Sequence, residues 1–142
     1  MAPLQFPGKL LHASCVSADG RGILILGPAG SGKSSLALKL MGLGADLVSD
    51  DRTLVMRKSD KLIATCSDKI KGLVEARGVG LLKVAPFDCA ELSLVVDLRL
   101  QIDERLPKDD TYKIFGIKLR CIGQSRLDAF AEAVYFLAKQ VE

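Results

Sequence analysis

The sequence predicts a mixed α/β domain with a largely antiparallel sheet and a single helix leading out of a glycine-rich loop. Three observations point there. The run Gly27-Pro28-Ala29-Gly30-Ser31-Gly32-Lys33-Ser34 fits G-x-x-x-x-G-K-[ST] without a mismatch. Short apolar segments separated by turn residues fill most of the chain. Helical spacing, by contrast, recurs in only two places. An ordinary phosphate-loop domain alternates strands and helices around a parallel sheet. This order does not.

Leu10 to Ala18 reads as one strand, and Asp19-Gly20-Arg21-Gly22 as a tight turn into the apolar run Gly22 to Leu26. The glycine-rich loop follows directly. Ser35 to Met41 has the composition of a helix, with Gly42 and Gly44 placed to end it. Strand, loop and helix in that order aim the positive end of a helix at a bound phosphate. Ala45 to Ser49 is a short strand running into Asp50-Asp51. Thr53 to Arg57 and Lys61 to Thr65 flank Lys58-Ser59-Asp60 as a hairpin. Gly72 to Arg77 and Gly80 to Val84 are short strands about Gly78, and Leu92 to Leu100 is the longest strand. Asp103 to Asp110, with Pro107 and four acidic residues, is the loop expected to move. Tyr112 to Phe115 and Ile117 to Ile122 pair about Gly116. Arg126 to Val141 is a helix by the spacing of Leu127, Phe130, Val134, Leu137 and Ala138.

Composition narrows the function classes. At 142 residues the chain is expected to form one domain, 1–142, large enough for a real core. Its apolar runs fall far short of the roughly 20 residues of a membrane helix. Met1 to Lys9 shows no basic stretch followed by an apolar one, so no secretory leader is expected. Cys15, Cys66, Cys89 and Cys121 are scattered without a C-x-x-C pair, and there is one histidine. That excludes a conventional zinc site and suits buried free thiols in a reducing cytoplasm. A net charge of +3 with few aromatics gives no nucleic-acid signature.

The glycine-rich loop assigns nucleotide phosphate binding. Its glycines let successive amides face phosphate oxygens, Lys33 brings a charge to the β- and γ-phosphates, and the Ser34 hydroxyl suits Mg²⁺. Such a site also needs a carboxylate near the metal and a group to activate the nucleophile. Two places qualify: Asp97, closing the apolar run Leu92 to Val96, and the pair Asp50-Asp51. Adjacent aspartates inside a strand point to opposite faces, whereas at a strand end both can turn toward one site. Spacing alone leaves both places open.

The run His12, Gly27 to Ser34, Asp50-Asp51 and Glu75-Ala76-Arg77-Gly78-Val79-Gly80 resembles the catalytic domain of the bacterial HPr kinase/phosphorylase family. The likeness extends from about Leu10 to Lys139 and is similar to the short alpha-proteobacterial form. It implies a fold related to phosphoenolpyruvate carboxykinase, and ATP- and Mg²⁺-dependent transfer to a serine of HPr, the small carrier of the sugar phosphotransferase system. It also implies a cytoplasmic protein and a homo-oligomer, since longer members are hexameric. By this resemblance Gly27, Pro28, Ala29, Gly30, Ser31, Gly32, Lys33, Ser34 and Ser35 hold the nucleotide, and Ser34 and Asp51 the metal. Asp50 takes the proton of the attacking serine. Arg105, within Glu104-Arg105-Leu106, steadies the transferred phosphoryl, while His12, Glu75 and Arg77 stand near it. Arg126 resembles an arginine of the family opening the last helix. Two departures stand out: Ser35 replaces the family's glutamate after the loop serine, and Lys83 an asparagine of the signature. A P-loop kinase of a small metabolite and a nucleotide-binding module without chemistry are the alternative functions.

Overall fold

A computed structural model describes residues 8–141; most of the segment read for a leader, Met1 to Lys9, lies outside them. The elements in order are β1 Gly8–Leu11, β2 Ala13–Ala18, β3 Arg21–Leu26, α1 Lys33–Gly42, β4 Asp46–Ser49, β5 Thr53–Lys58 and β6 Lys61–Thr65. They continue as β7 Leu73–Ala76, β8 Gly80–Lys83, β9 Cys89–Gln101, β10 Asp110–Ile114, β11 Ile117–Gln124 and α2 Phe130–Gln140. One sheet runs β1-β5-β6-β9-β3-β2-β4, with β11 also on β9 and β10 on β11, while β7 and β8 form a separate hairpin. Only the β3–β9 and β9–β11 pairings are parallel. The remaining ladders are antiparallel, as the strand-rich pattern predicts.

The hairpins follow from residues that tolerate positive φ. Asp19 and Gly20 lie at φ 52° and 83° between Ala18 and Arg21, the backbone of a two-residue type I′ turn. Phe115 and Gly116 repeat this at 49° and 79°. The turn therefore takes Phe115 out of the strand in which its apolar side chain placed it. In the same way the β5–β6 turn is Ser59-Asp60, because Lys58 pairs with Lys61.

β9 is the hub. Its 13 residues pair with β6 at the start, with β3 along one edge and with β11 from Leu94 onward. Ile23, Ile25, Leu94 and Val96 face α1 and α2, where Leu36, Leu40, Val134 and Ala138 cover them. Leu24, Leu26 and Val95 face the other way, onto Val55, Leu62, Leu119 and Cys121. The period-2 alternation thus feeds two cores from one strand.

Other boundaries also differ from the sequence reading. The strand expected over Leu10 to Ala18 breaks at His12, because β1 pairs with β5 whereas β2 pairs with β3 and β4. The chain changes partner there and bends. Helix α2 begins at Phe130, not Arg126, since the Leu127 amide donates to Ser125 Oγ and the Phe130 amide to the Leu127 carbonyl, forming a turn first. Arg126 therefore precedes the helix. Helix α1 starts earlier than expected, at Lys33, with Gly32 at φ 102° before it.

The four thiols are not alike. Cys15 and Cys121 are buried, whereas Cys66 is half-buried and Cys89 exposed, so burial of all four does not hold. Cys89 opens β9 at an exposed position. Burial pushes the Cys15 thiol up to about 12 and that of Cys121 up to about 11, leaving little thiolate at neutral pH. Native labelling with a thiol-specific chromogenic disulfide should modify Cys66 and Cys89 and spare the other two until denaturant is added. Rapid reaction of all four in the folded protein would contradict this packing.

Candidate functional site

The glycine-rich loop leaves β3 at Leu26 and enters α1 at Lys33. Gly27 accommodates a close approach: a Cβ there would meet Ser31 Oγ at 2.3 Å. Gly30 and Gly32 take φ of 81° and 102° with open space where a Cβ would project. The loop is closed by the Ser31 amide donating to the Pro28 carbonyl at 3.1 Å, with Pro28 and Ala29 exposed at its crest. Lys33 is buried, and its Nζ donates to the Gly27 carbonyl at 2.7 Å and the Pro28 carbonyl at 3.2 Å. An ammonium folded onto its own loop marks the cavity that phosphate oxygens would share.

Beside it stands the paired aspartate. β4 ends at Ser49, whose hydroxyl donates to the Arg52 carbonyl, and the Arg52 amide donates to the Asp50 carbonyl at 2.7 Å. Asp51 takes φ 66° inside this turn. The tight turn, rather than strand alternation, sets where the two carboxylates point. Asp50 is buried, and its Oδ1 accepts from Ser34 Oγ and Ser14 Oγ, each at 2.8 Å. Its Oδ2 accepts a longer bond, 3.3 Å, from the Glu75 amide. Asp51 is about half exposed; its Oδ1 lies 2.6 Å from His12 Nε2 and 3.8 Å from Lys33 Nζ. A carboxylate only accepts, so Nε2 carries the proton. The bend between β1 and β2 is what delivers His12 to Asp51.

Ser14 was not visible as a functional residue. It is fully buried, donates to Asp50 Oδ1, and accepts the Asp51 amide at 3.1 Å. One hydroxyl therefore ties both aspartates to β2. Its only sequence signal is a small polar residue in a mostly apolar strand, one that Ser17 shares.

Asp97 is committed elsewhere. It lies within β9, not at its end, and shares the face of Val95, opposite the helices. Both its oxygens are occupied by Arg99: Nε at 2.9 Å and the Arg99 amide at 3.0 Å on Oδ1, Nη2 at 2.8 Å on Oδ2. The guanidinium holds the Asp97 carboxyl below the usual carboxylate range against the opposing effect of burial. Its chemistry is that of an ion pair within one strand.

The remaining expected residues are less gathered. Glu75 reaches Asp50 through its amide while its side chain is exposed. Arg77 sits on the β7–β8 turn, and Arg105 in the connection 102–109 after β9. Both are exposed, and among the described residues neither side chain forms an ion pair. Ser35 is exposed one position beyond the loop serine.

The donor set fits a hard divalent cation held jointly with phosphates. A serine hydroxyl that donates its proton to Asp50 turns its lone pairs outward, and two carboxylates lie alongside. Among the described residues no group of three or more His, Cys, Asp or Glu could hold a metal. Mg²⁺ typically relies on one or two carboxylates plus substrate phosphates and water.

Comparison with known proteins places this geometry in context. Residues 6–122 match the model of the HPr Serine kinase C-terminal domain. An HPr kinase/phosphorylase of Caldicellulosiruptor bescii is 36% identical over 121 residues, covering 76% of this chain and 39% of the relative. One from Limosilactobacillus reuteri is 35% identical over 126 residues, covering 78% and 39%. The chain thus spans about two-fifths of the length of these curated relatives. A solved structure, described as the Hpr(Ser) kinase/phosphatase from Coxiella burnetii, superposes with a TM-score of 0.80 at 26% identity, over 93% of this chain and 95% of that one. In this match a largely antiparallel sheet around a P-loop helix is a shared architecture.

Two outcomes follow from the geometry. Ser14→Ala removes a donor to Asp50 and leaves the Asp51 amide without its acceptor, so urea unfolding should show a loss of about 1–3 kcal/mol. Ser14→Thr, which keeps the hydroxyl, should recover most of it. Equal midpoints for wild type and Ser14→Ala would remove the anchoring role. Asp97, with its depressed pKa, contributes stability above the unfolded carboxyl pKa that is lost as pH falls through the lower folded value. Stability should therefore drop on acidification below about pH 4. Asp97→Asn should be less stable at neutral pH and flatter across that window; an unchanged acid profile would rule out this contribution.

Proposed function

The chain belongs to the HPr serine kinase C-terminal domain family, and from that premise we propose that it is an ATP- and Mg²⁺-dependent kinase domain that phosphorylates a serine of HPr. The observation that carries this reading is the clustering of Lys33, Ser34, Asp50 and Asp51 about one loop. Relatives named HPr kinase/phosphorylase support the substrate.

The residue roles follow from what each atom has free. Lys33 Nζ exchanges its two carbonyl partners for phosphate oxygens, which keeps a buried ammonium paired throughout. Ser34 and Asp51 would hold the Mg²⁺, which would supply neutralisation of phosphate charge. Asp50 Oδ1 accepts from two hydroxyls, which set the plane of the carboxylate. Its Oδ2, held only by the long Glu75 amide bond, is the atom left to accept the proton of an incoming serine hydroxyl. His12 restrains Asp51 from the solvent side. Arg105 and Arg77 lie on exposed segments from which a guanidinium can fold onto the transferred phosphoryl once substrates fill the site. The loss of a glutamate at Ser35 leaves the metal one carboxylate fewer than in the family pattern, so Ser34 and Asp51 carry more of its binding.

HPr is the protein partner under this reading, the compartment is the cytoplasm, and self-association into a homo-oligomer accompanies it. No helix among the described residues is long and apolar enough to cross a membrane.

Incubation with ATP, Mg²⁺ and purified HPr should raise the intact mass of HPr by one phosphoryl group. Transfer to small hydroxyl compounds but not to HPr would point instead to a metabolite kinase, and ATP binding without any transfer to a module lacking chemistry. Asp50→Asn should retain ATP binding while transfer falls by roughly 10²–10⁴. Asp51→Asn should chiefly raise the Mg²⁺ concentration required. The converse pattern would exchange the two roles.

A further inference from the structure

β9 does not run straight into the segment that carries Arg105. Asp97 pairs with Gly123 of β11, and the next paired residue is Gln101, opposite Gln124. Leu98, Arg99 and Leu100 therefore stand against no residue of β11. On the other side β3 has already ended at Leu26, the partner of Asp97. These residues arch out of the ladder as an enlarged β-bulge, a device that re-aims the chain beside functional sites. At about 3.3 Å per residue the arch takes up roughly 10 Å of strand.

The arch is held from within and from below. Asp97 Oδ1 accepts the Arg99 amide at 3.0 Å, a local bond that closes a turn two residues on. The Arg99 guanidinium folds back across that turn, with Nε 2.9 Å from Oδ1 and Nη2 2.8 Å from Oδ2. Beneath lies Gly123, where a Cβ would meet the Leu100 carbonyl oxygen at 2.6 Å and Ile102 Cγ1 at 2.7 Å. Only glycine lets the arch close down this far. The Ile102 amide then donates to the Gln124 carbonyl at 2.8 Å and ends the strand. The arch stands beside the phosphate loop: Leu98 Cβ lies 3.3 Å from where a Cβ on Gly27 would project. Arg105 follows Ile102 by three residues, so its Cα stays within about 11 Å of that anchor.

We propose that Asp97, Arg99 and Gly123 are positioning residues for phosphoryl transfer. They fix the arch that sets where the Arg105 segment leaves the sheet, and so whether the Arg105 guanidinium reaches the transferred phosphoryl. This rests on the kinase reading above. None of the three touches the reacting atoms. The loop's own bonds, from the Ser31 amide and from Lys33, do not involve the arch, so nucleotide binding survives its loss.

A double-mutant cycle on steady-state transfer to HPr tests this with the full chain, thermal melts showing that each variant is folded at the assay temperature. Arg99→Ala is the milder variant, since that side chain is more than half exposed and the Asp97 bond to the amide remains; Asp97→Ala removes both. Each should lower kcat by roughly 10–10² with KM for ATP within about twofold. Arg99→Lys should recover little, because an ammonium does not span both oxygens. Arg105→Ala should itself lower kcat, and in that background Arg99→Ala should cost less than about twofold more. Losses that multiply in the double variant, or an unchanged kcat in Arg99→Ala or Arg105→Ala, would overturn the positioning role alone. A wild-type chain that transfers nothing to HPr would overturn the kinase reading and this role together.

Discussion

The carboxylate of Asp50 is the point on which the site depends. It collects a hydroxyl from β2, a hydroxyl from the start of α1 and an amide from β7, while its own backbone belongs to the turn after β4. Burying an anion is costly unless hydrogen bonds replace its water. Three donors from three elements do so here. The same bonds therefore register the phosphate loop, the paired aspartates and the β7–β8 hairpin against one another. Loss of any one donor loosens both packing and chemistry, because the group that is satisfied is also the group that reacts.

The second carboxylate in a comparable position shows how a sheet face decides fate. Asp97 follows an apolar run and is paired with Leu26, the residue just before the phosphate loop. Yet alternation along β9 turns it to the face away from the helices, where Arg99, two residues on, takes both oxygens. Leu98, one position along, faces the loop instead and lies 3.3 Å from where a Gly27 Cβ would stand. A one-residue difference in phase separates an ion pair within β9 from a residue that packs against the phosphate loop.

β9 also explains how an antiparallel architecture keeps a phosphate site that usually belongs to parallel sheets. Its parallel partners β3 and β11 form a three-stranded parallel core inside the larger sheet. The loops after all three strands exit on one side, which brings the phosphate loop, the segment carrying Arg105 and the turn around Leu127 to the same end. The antiparallel strands β2 and β4 then supply the other flank with Ser14 and the aspartates.

The sequence by itself determined what rests on local chemistry. The phosphate loop, its helix, the hairpins about Asp19-Gly20 and Gly116, and the strand ending in Asp50-Asp51 each follow from residues adjacent in the chain. The residue spacing shared with the HPr kinase family pointed to the paired aspartates as the acids of the site. What only the tertiary structure decided were matters of partner and face. His12 reaches Asp51 because the chain changes strand partners there, which no local pattern encodes. Ser14 became an anchor only when β2 lay beside β4, thirty-six residues away from the carboxylate it holds. Arg126 fell outside α2 because a serine-stabilised turn displaced the helix start, and Cys89 lies exposed at the start of β9. Side-chain types and turns are properties of neighbouring residues; the donors that surround a buried charge come from distant strands, and only folding brings them together.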